Sequence, residues 1–173
     1  MSATTRLRQG ARALVGFARP VDVDLAAGTL TPDLLVLFRR LKRVEQLHSL
    51  NVLRALLRQR DAVTSDLAVA ALLHDVGKAC YPLALWQKVI AVLVRKVLPS
   101  RAGHWSDGEA RGWRRPFVVY AHHPIWSADL MRAAGAADGA IWLAAHHQDD
   151  AAQWRAHPLY AALLRLQTAD DLN

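Results

Sequence analysis

The chain has a single cysteine, Cys80, in 173 residues, which excludes a disulfide framework and is compatible with a reducing, cytoplasmic compartment. Cys80 itself reads as a small buried hydrophobe. No stretch reaches the roughly 18 uninterrupted apolar residues of a membrane span. The nearest, Leu83 to Leu98, is broken by Gln87, Lys88, Arg95 and Lys96, and reads first as a buried core helix. Its second reading is an interfacial helix, with Trp86 at one end and Arg95 and Lys96 at the other, which would add a peripheral membrane contact. The N-terminal segment MSATTRLRQGARALVGFARP spreads arginines through its apolar residues and so lacks the compact apolar block of a secretory signal. Alternating strand patterns are almost absent, Val118-Val119-Tyr120 being the best candidate and too short to carry a sheet. There is no internal repeat and no low-complexity tract. Lysine is scarce, 4 against 18 arginines, and with 15 acidic residues the net charge is +7. That balance favours anionic ligands or surfaces without naming one, and nothing in it is a strong nucleic-acid signal.

What is present is apolar and helical. Hydrophobic residues make up 53% of the chain, ample for the core of one domain. Thr31-Pro32-Asp33 reads as an N-cap with proline at the first helical position, followed by the stripe Leu34, Leu35, Leu37, Phe38 and Leu41. Val44, Leu47, Leu50 and Leu57 carry helical spacing through His48. Ser65 to Leu73 reads as a short buried helix delivering His74 and Asp75, with Gly77 as its stop. Further helices are expected at Leu83 to Leu98, around Pro124 to Ala134, from Ala136 to His147 and from Pro158 to Asp170. The fold class is therefore all-α: residues 31–173 form one helical domain, and residues 1–30 a basic arm or helix joined by the turn-prone PVDVDLAAGT.

The chemistry lies in the histidines. Six of the eight fall in four places: His48, the HD doublet His74-Asp75, His122-His123 before Pro124, and His146-His147. Asp170 and Asp171 close the series. A histidine followed directly by a carboxylate can present a nitrogen and an oxygen to one ion, and the N and O donors suit Mn, Fe, Ni, Mg or Zn. His104 and His157 sit in expected loops and have no assigned role.

This order, H...HD...H...H...D, resembles the HD-domain metal-dependent phosphohydrolase superfamily. ALLHDVGK is similar to its ALLHDIGK signature, HPIWSADLM to its HPxxGAxLL element, and TADDLN to its closing ADxLN segment, from about residue 45 to the end. The HSLNVLR and ADDxN phrasing is closest to short stand-alone bacterial members. The resemblance implies an all-α bundle around a metal centre holding one or two divalent ions. His48, His74, Asp75 and Asp170 would hold the first, Asp75 bridging to a second held by His123 and His146. His147 remains open as ligand or substrate contact, because adjacent helical residues point about 100° apart. His123 is preferred to His122 because it directly precedes Pro124. Lys78, the lysine of the signature, would place its ammonium on a substrate phosphate, and a solvated helix-end cation is its duller alternative. The branch called HD-GYP carries HHExxDGxGYP where this chain reads HHQDDAAQWRAHP, and a glutamate four residues before the first histidine where this chain has Val44. A third metal is not expected here.

The implied activity is hydrolysis of a nucleotide or another small phosphate mono- or diester by metal-activated hydroxide. A metal-stabilised nucleotide-sensing or binding module that works without turnover is the alternative. Between Arg95 and Arg115 six basic residues are interleaved with Trp105 and Trp113. Arg114 and Arg115 could pair phosphates while a base stacks on a tryptophan, or the segment could be a solvated basic loop.

Overall fold

The computed structural model describes residues 20–173, the side chains at 85, 88, 95, 99 and 102 excepted. The rest of the expected basic arm, residues 1–19, lies outside the described residues. Among the described residues there are α-helices and short 3-10 turns and no strands, as an all-α domain requires. The α-helices are α1 Val23–Ala27, α2 Pro32–Arg40, α3 Arg43–Leu57, α4 Ser65–Leu73, α5 Leu85–Val97, α6 Pro99–Trp105, α7 Arg115–Ala133, α8 Asp138–His146 and α9 Tyr160–Asp171. A 3-10 turn over Val76–Cys80 follows α4.

The helix starts have local causes. Asp22 accepts a hydrogen bond from the Leu25 amide and caps α1. Thr31 occupies the N-cap of α2, but its hydroxyl makes no capping bond and the start rests on Pro32, whose fixed φ suits the first turn. The Glu45 carboxylate accepts from the Lys42 amide at the head of α3, and Thr64 accepts from the Leu67 amide at the head of α4. The stretch 20–30 is more than a joint, since Ala26 and Leu30 are buried in the main core and Arg54 of α3 pairs with Asp22 at 2.6 Å.

Helix α4 is the centre of the bundle. Leu67, Val69, Ala70, Ala71, Leu72 and Leu73 are all buried, and each large side chain so removed from water contributes about 2 kcal/mol. α3 packs on one side of it and α8 on another, while α9 lies against α3, α4 and α8. α7 crosses the 3-10 turn and α8. The end of α4 thus lies between the helices that carry the other histidines.

Three expectations are corrected. Val118-Val119-Tyr120 is helical, inside α7, which begins at Arg115 with Pro116 in its first turn and buries Phe117, Val118 and Val119. A short β-branched run carries no period of its own, and here packing decides it. The Leu85–Val97 helix is not a core helix, because Ala91 is its only described residue in the buried core, packed on Phe117 beside Val94 and Trp105. Cys80 is exposed and lines a shallow groove with Tyr81, Trp126, Asp129 and Leu130.

Candidate metal centre

Six elements deliver donor atoms to one place. His48 comes from α3 and Asp170 from the last turn of α9, their side chains half-buried and joined at 2.7 Å from Nε2 to Oδ1. His74 ends α4 and Asp75 opens the 3-10 turn, both buried. His123 lies inside α7 and His147 directly follows α8, and they too are buried.

The donor atoms form two overlapping sets, His48, His74 and Asp170 in one and His74, Asp75 and His147 in the other, each set within 4.8 Å. His74 Nε2 stands 3.5 Å from Asp170 Oδ1 and 3.7 Å from Asp75 Oδ2. Asp75 Oδ1 is 3.1 Å from His123 Nε2 and 3.8 Å from His147 Nε2.

The backbone decides which ring nitrogen faces inward. Nδ1 of His147 approaches the Ala144 carbonyl at 2.8 Å, and Nδ1 of His74 approaches that of Ala71 at 3.2 Å. Nδ1 of His123 meets the carbonyls of Val119 at 3.0 Å and Tyr120 at 2.9 Å. A nitrogen against a carbonyl must carry the proton, so a neutral ring keeps its lone pair on Nε2. Pro124 adds to this at His123. Having no N–H, it cannot serve the Tyr120 carbonyl one turn back, and the imidazole of the preceding residue does so instead. The His-Pro pair thus frees an acceptor and uses it to fix the ring's orientation, the arrangement that outer partners give to metal-binding histidines.

The electrostatics set neutral imidazoles beside charged carboxylates. His123 and His147 bring their Nε2 atoms to 3.3 Å from each other. Burial holds both imidazoles neutral: it lowers His123 below its usual value and, together with the neighbouring His74, pushes His147 down to about 3. Two lone pairs therefore converge on a carboxylate oxygen. Burial alone would raise the Asp75 carboxyl, but Lys78, His74 and His123 hold it well below the usual carboxylate range. Burial likewise opposes charge on His74, yet Asp75 and Asp170 outweigh it and raise that imidazole. Asp170 is also held far down, its own burial overcome by the hydrogen bond from His48 and by the neighbouring His74. His74 Nε2 and Asp75 Oδ1 are buried without a hydrogen-bond partner, a costly arrangement for polar atoms. Imidazole nitrogens, carboxylate oxygens and two orphaned atoms aimed at one space fit a divalent cation of intermediate softness. This buried group could hold a metal ion.

His146, preferred from the sequence over His147, is not brought to the cluster. Its Nδ1 pairs with Asp149 at 2.7 Å, and its ring packs against Trp142 and Trp154. The order is reversed because α8 ends at His146, and the helical turn points the next residue inward. Of the two closing aspartates it is Asp170 that joins the cluster, while Asp171 is exposed. His122 lies outside it, its Nε2 near the Ser106 carbonyl and its ring stacked on Trp126.

Lys78 donates to Asp75 Oδ2 at 2.6 Å. Burial would lower its ammonium, but Asp75 outweighs that and raises it. Arg114 and Arg115 have other partners. Arg114 lies over the Trp113 ring, and Arg115 lies over Tyr81 and donates to the Pro82 carbonyl. Trp105 and Trp113 pack edge to face with each other and with Phe117, in a segment that is helical over Pro99–Trp105 rather than a loop. His104 sits in that helix, and His157 stacks on Trp142 at 3.8 Å. Val44 is exposed, and Glu45 is buried at the start of α3.

The sequence reading missed the supports. Gly77 donates its amide to Ser127 Oγ at 2.8 Å, and a Cβ there would meet the His123 carbonyl and come within 2.7 Å of the Ser127 amide. This glycine is required by close packing of the turn on α7, not as a helix stop, for its φ is not positive. The serine of HPIWSADLM was the available signal. Gln167 donates to the carbonyls of His147 and Asp149. Arg165 donates to Gln59, Ala62 and Asp61. Together they brace α9 near Asp170.

Gly77→Ala is accordingly expected to cost roughly 3 kcal/mol by overpacking and to weaken metal binding by displacing His123. Thermal unfolding alongside metal content checks this, and an unchanged midpoint would contradict the close contact.

No protein-family model, curated protein or solved structure matches the chain. The site therefore speaks through its own residues.

Proposed function

We propose that the protein is a metal-dependent phosphohydrolase of the HD-domain superfamily, acting on a nucleotide or another small phosphate ester. The observation that supports the reading most is convergence. His48, His74, Asp75, His123 and Asp170, picked out by their order along the chain, meet in one cluster with their donor atoms turned inward.

A bound divalent ion supplies positive charge that acidifies water and neutralises phosphoryl oxygens. The chain's residues supply the rest. Asp75 keeps a full negative charge in a buried place, with one oxygen toward His123 and His147 and the other on Lys78. His48 and Asp170, the half-exposed pair, mark the side from which a substrate reaches the buried donors. Lys78, also half-exposed, can offer an ammonium proton to a phosphate oxygen there while still neutralising Asp75. The imidazoles are locked by backbone carbonyls, so no reorganisation is needed when charge develops nearby.

The test is anaerobic purification, elemental analysis, and assay of the metal-loaded protein against phosphomonoesters, phosphodiesters, nucleotides and cyclic dinucleotides. Metal bound at the cluster with catalytic product release is the expected result. Tight nucleotide binding without product after long incubation in Mn, Fe and Ni would replace the hydrolase with the sensing module. A protein that holds no metal would end both readings.

A further inference from the structure

We infer that helix α5, Leu85–Val97, is an interfacial anchor that lays the protein on an anionic lipid surface. The inference is independent of the chemistry at the histidine cluster.

The helix is amphipathic in the reverse of the usual sense. Trp86, Val89, Ile90, Leu93 and Val97 recur at i, i+3, i+4, i+7 and i+11, the spacing of an apolar stripe that should face a core. Here that stripe faces out, and with Val92 these residues are between 43% and 73% exposed. The inward side carries Ala91 and the partly buried Val94, which meet Phe117 and Trp105 in a small cluster separate from the main core. A row of large apolar side chains on one exposed helix is the kind of patch that marks an interaction surface. Among the described residues no helix is long and apolar enough to cross a membrane, so a lipid contact through this face would lie in the plane of the interface.

Charge selects the occupant. From Tyr81 to Ser106 the chain contains no aspartate or glutamate, whereas Lys88, Arg95, Lys96 and Arg101 fall within it. Lys96 is exposed next to the stripe, and Trp86, whose ring is suited to the headgroup level, stands at the start of the helix. A second copy of the chain is the poorer partner. A two-fold contact sets the same patch against itself, and this one would bring cation to cation with no carboxylate in the stretch to pair them. Apolar burial plus attraction to anionic headgroups is what holds an interfacial helix.

The experiment is co-sedimentation of the whole protein with phosphatidylcholine–phosphatidylglycerol vesicles and with pure phosphatidylcholine vesicles, at low and high ionic strength. Light scattering of the vesicle-free protein accompanies it. Wild type is expected to pellet with the anionic vesicles, weakly with the neutral ones, and less at high salt as screening grows. Leu93→Asp, at an exposed position where the fold is little affected, should lower partitioning roughly ten- to hundredfold. Lys96→Glu should weaken binding to anionic vesicles alone, and circular dichroism confirms that both variants are folded. Wild type that stays in the supernatant with anionic vesicles, or a Leu93→Asp protein that pellets equally well, overturns the inference. A wild-type dimer that Leu93→Asp converts to monomer, with vesicles ignored, assigns the face to a second copy instead.

Discussion

Asp75→Asn is expected to strip most of the bound metal and to lower phosphoester turnover by at least about a thousandfold. The amide keeps the size of the side chain and loses its charge, so it isolates electrostatics from packing. In the native chain Asp75 faces His123 and His147 through one oxygen and Lys78 through the other, and its carboxyl is held well below the usual range. Without that anion the carboxylate donor beside His123 and His147 is lost, and Lys78 loses the oxygen with which it now pairs, so the charge that would attract a cation is removed from this side of the cluster. The amide nitrogen would also find the His123 and His147 lone pairs as hydrogen-bond acceptors, replacing a cation site with a satisfied neutral network. Elemental analysis and turnover at matched metal loading measure the two effects together. Turnover within a few-fold of wild type would sink the hydrolase mechanism, and full metal content with lost turnover would restrict Asp75 to the reaction itself.

The all-α class was legible because helical spacing recurs in long segments: the stripes through Leu34 to Leu41 and through His48 became α2 and α3, and the buried run before His74 became α4. What periodicity cannot supply is the side of a helix that faces the body. For Leu85–Val97 the large residues invited burial, whereas the protein packs on the small Ala91 and leaves Leu93 and Val97 out. Val118 and Val119 misled in another way, since a short β-branched run is resolved only by Pro116 and the packing of Phe117. At the cluster, the order of histidines and aspartates was readable and so was the choice of His123 over His122, because proline marks the register. The choice between His146 and His147 was not, for it depends on where α8 stops.

That last choice yields the second large effect. His147→Ala is expected to weaken metal binding by more than the roughly 10–100-fold that loss of an outer partner costs a metal site, whereas His146→Ala should leave affinity within about tenfold of wild type. The contrast follows from one helical step. His147 points Nε2 toward Asp75 and His123, its Nδ1 tied to Ala144, while His146 turns to Asp149 and to the rings of Trp142 and Trp154. His146→Ala should instead register in stability, by about 1–2 kcal/mol, from lost aromatic contact and the Asp149 bond. Metal titration and thermal unfolding of the two apoproteins separate the roles. A reversed pattern, with affinity lost in His146→Ala and kept in His147→Ala, would mean that the metal-bound protein turns the end of α8 by one residue. Such a turn would have to break the His147 bond to the Ala144 carbonyl and bring the His146 ring out from between two tryptophans, so the native packing itself favours His147 as the ligand.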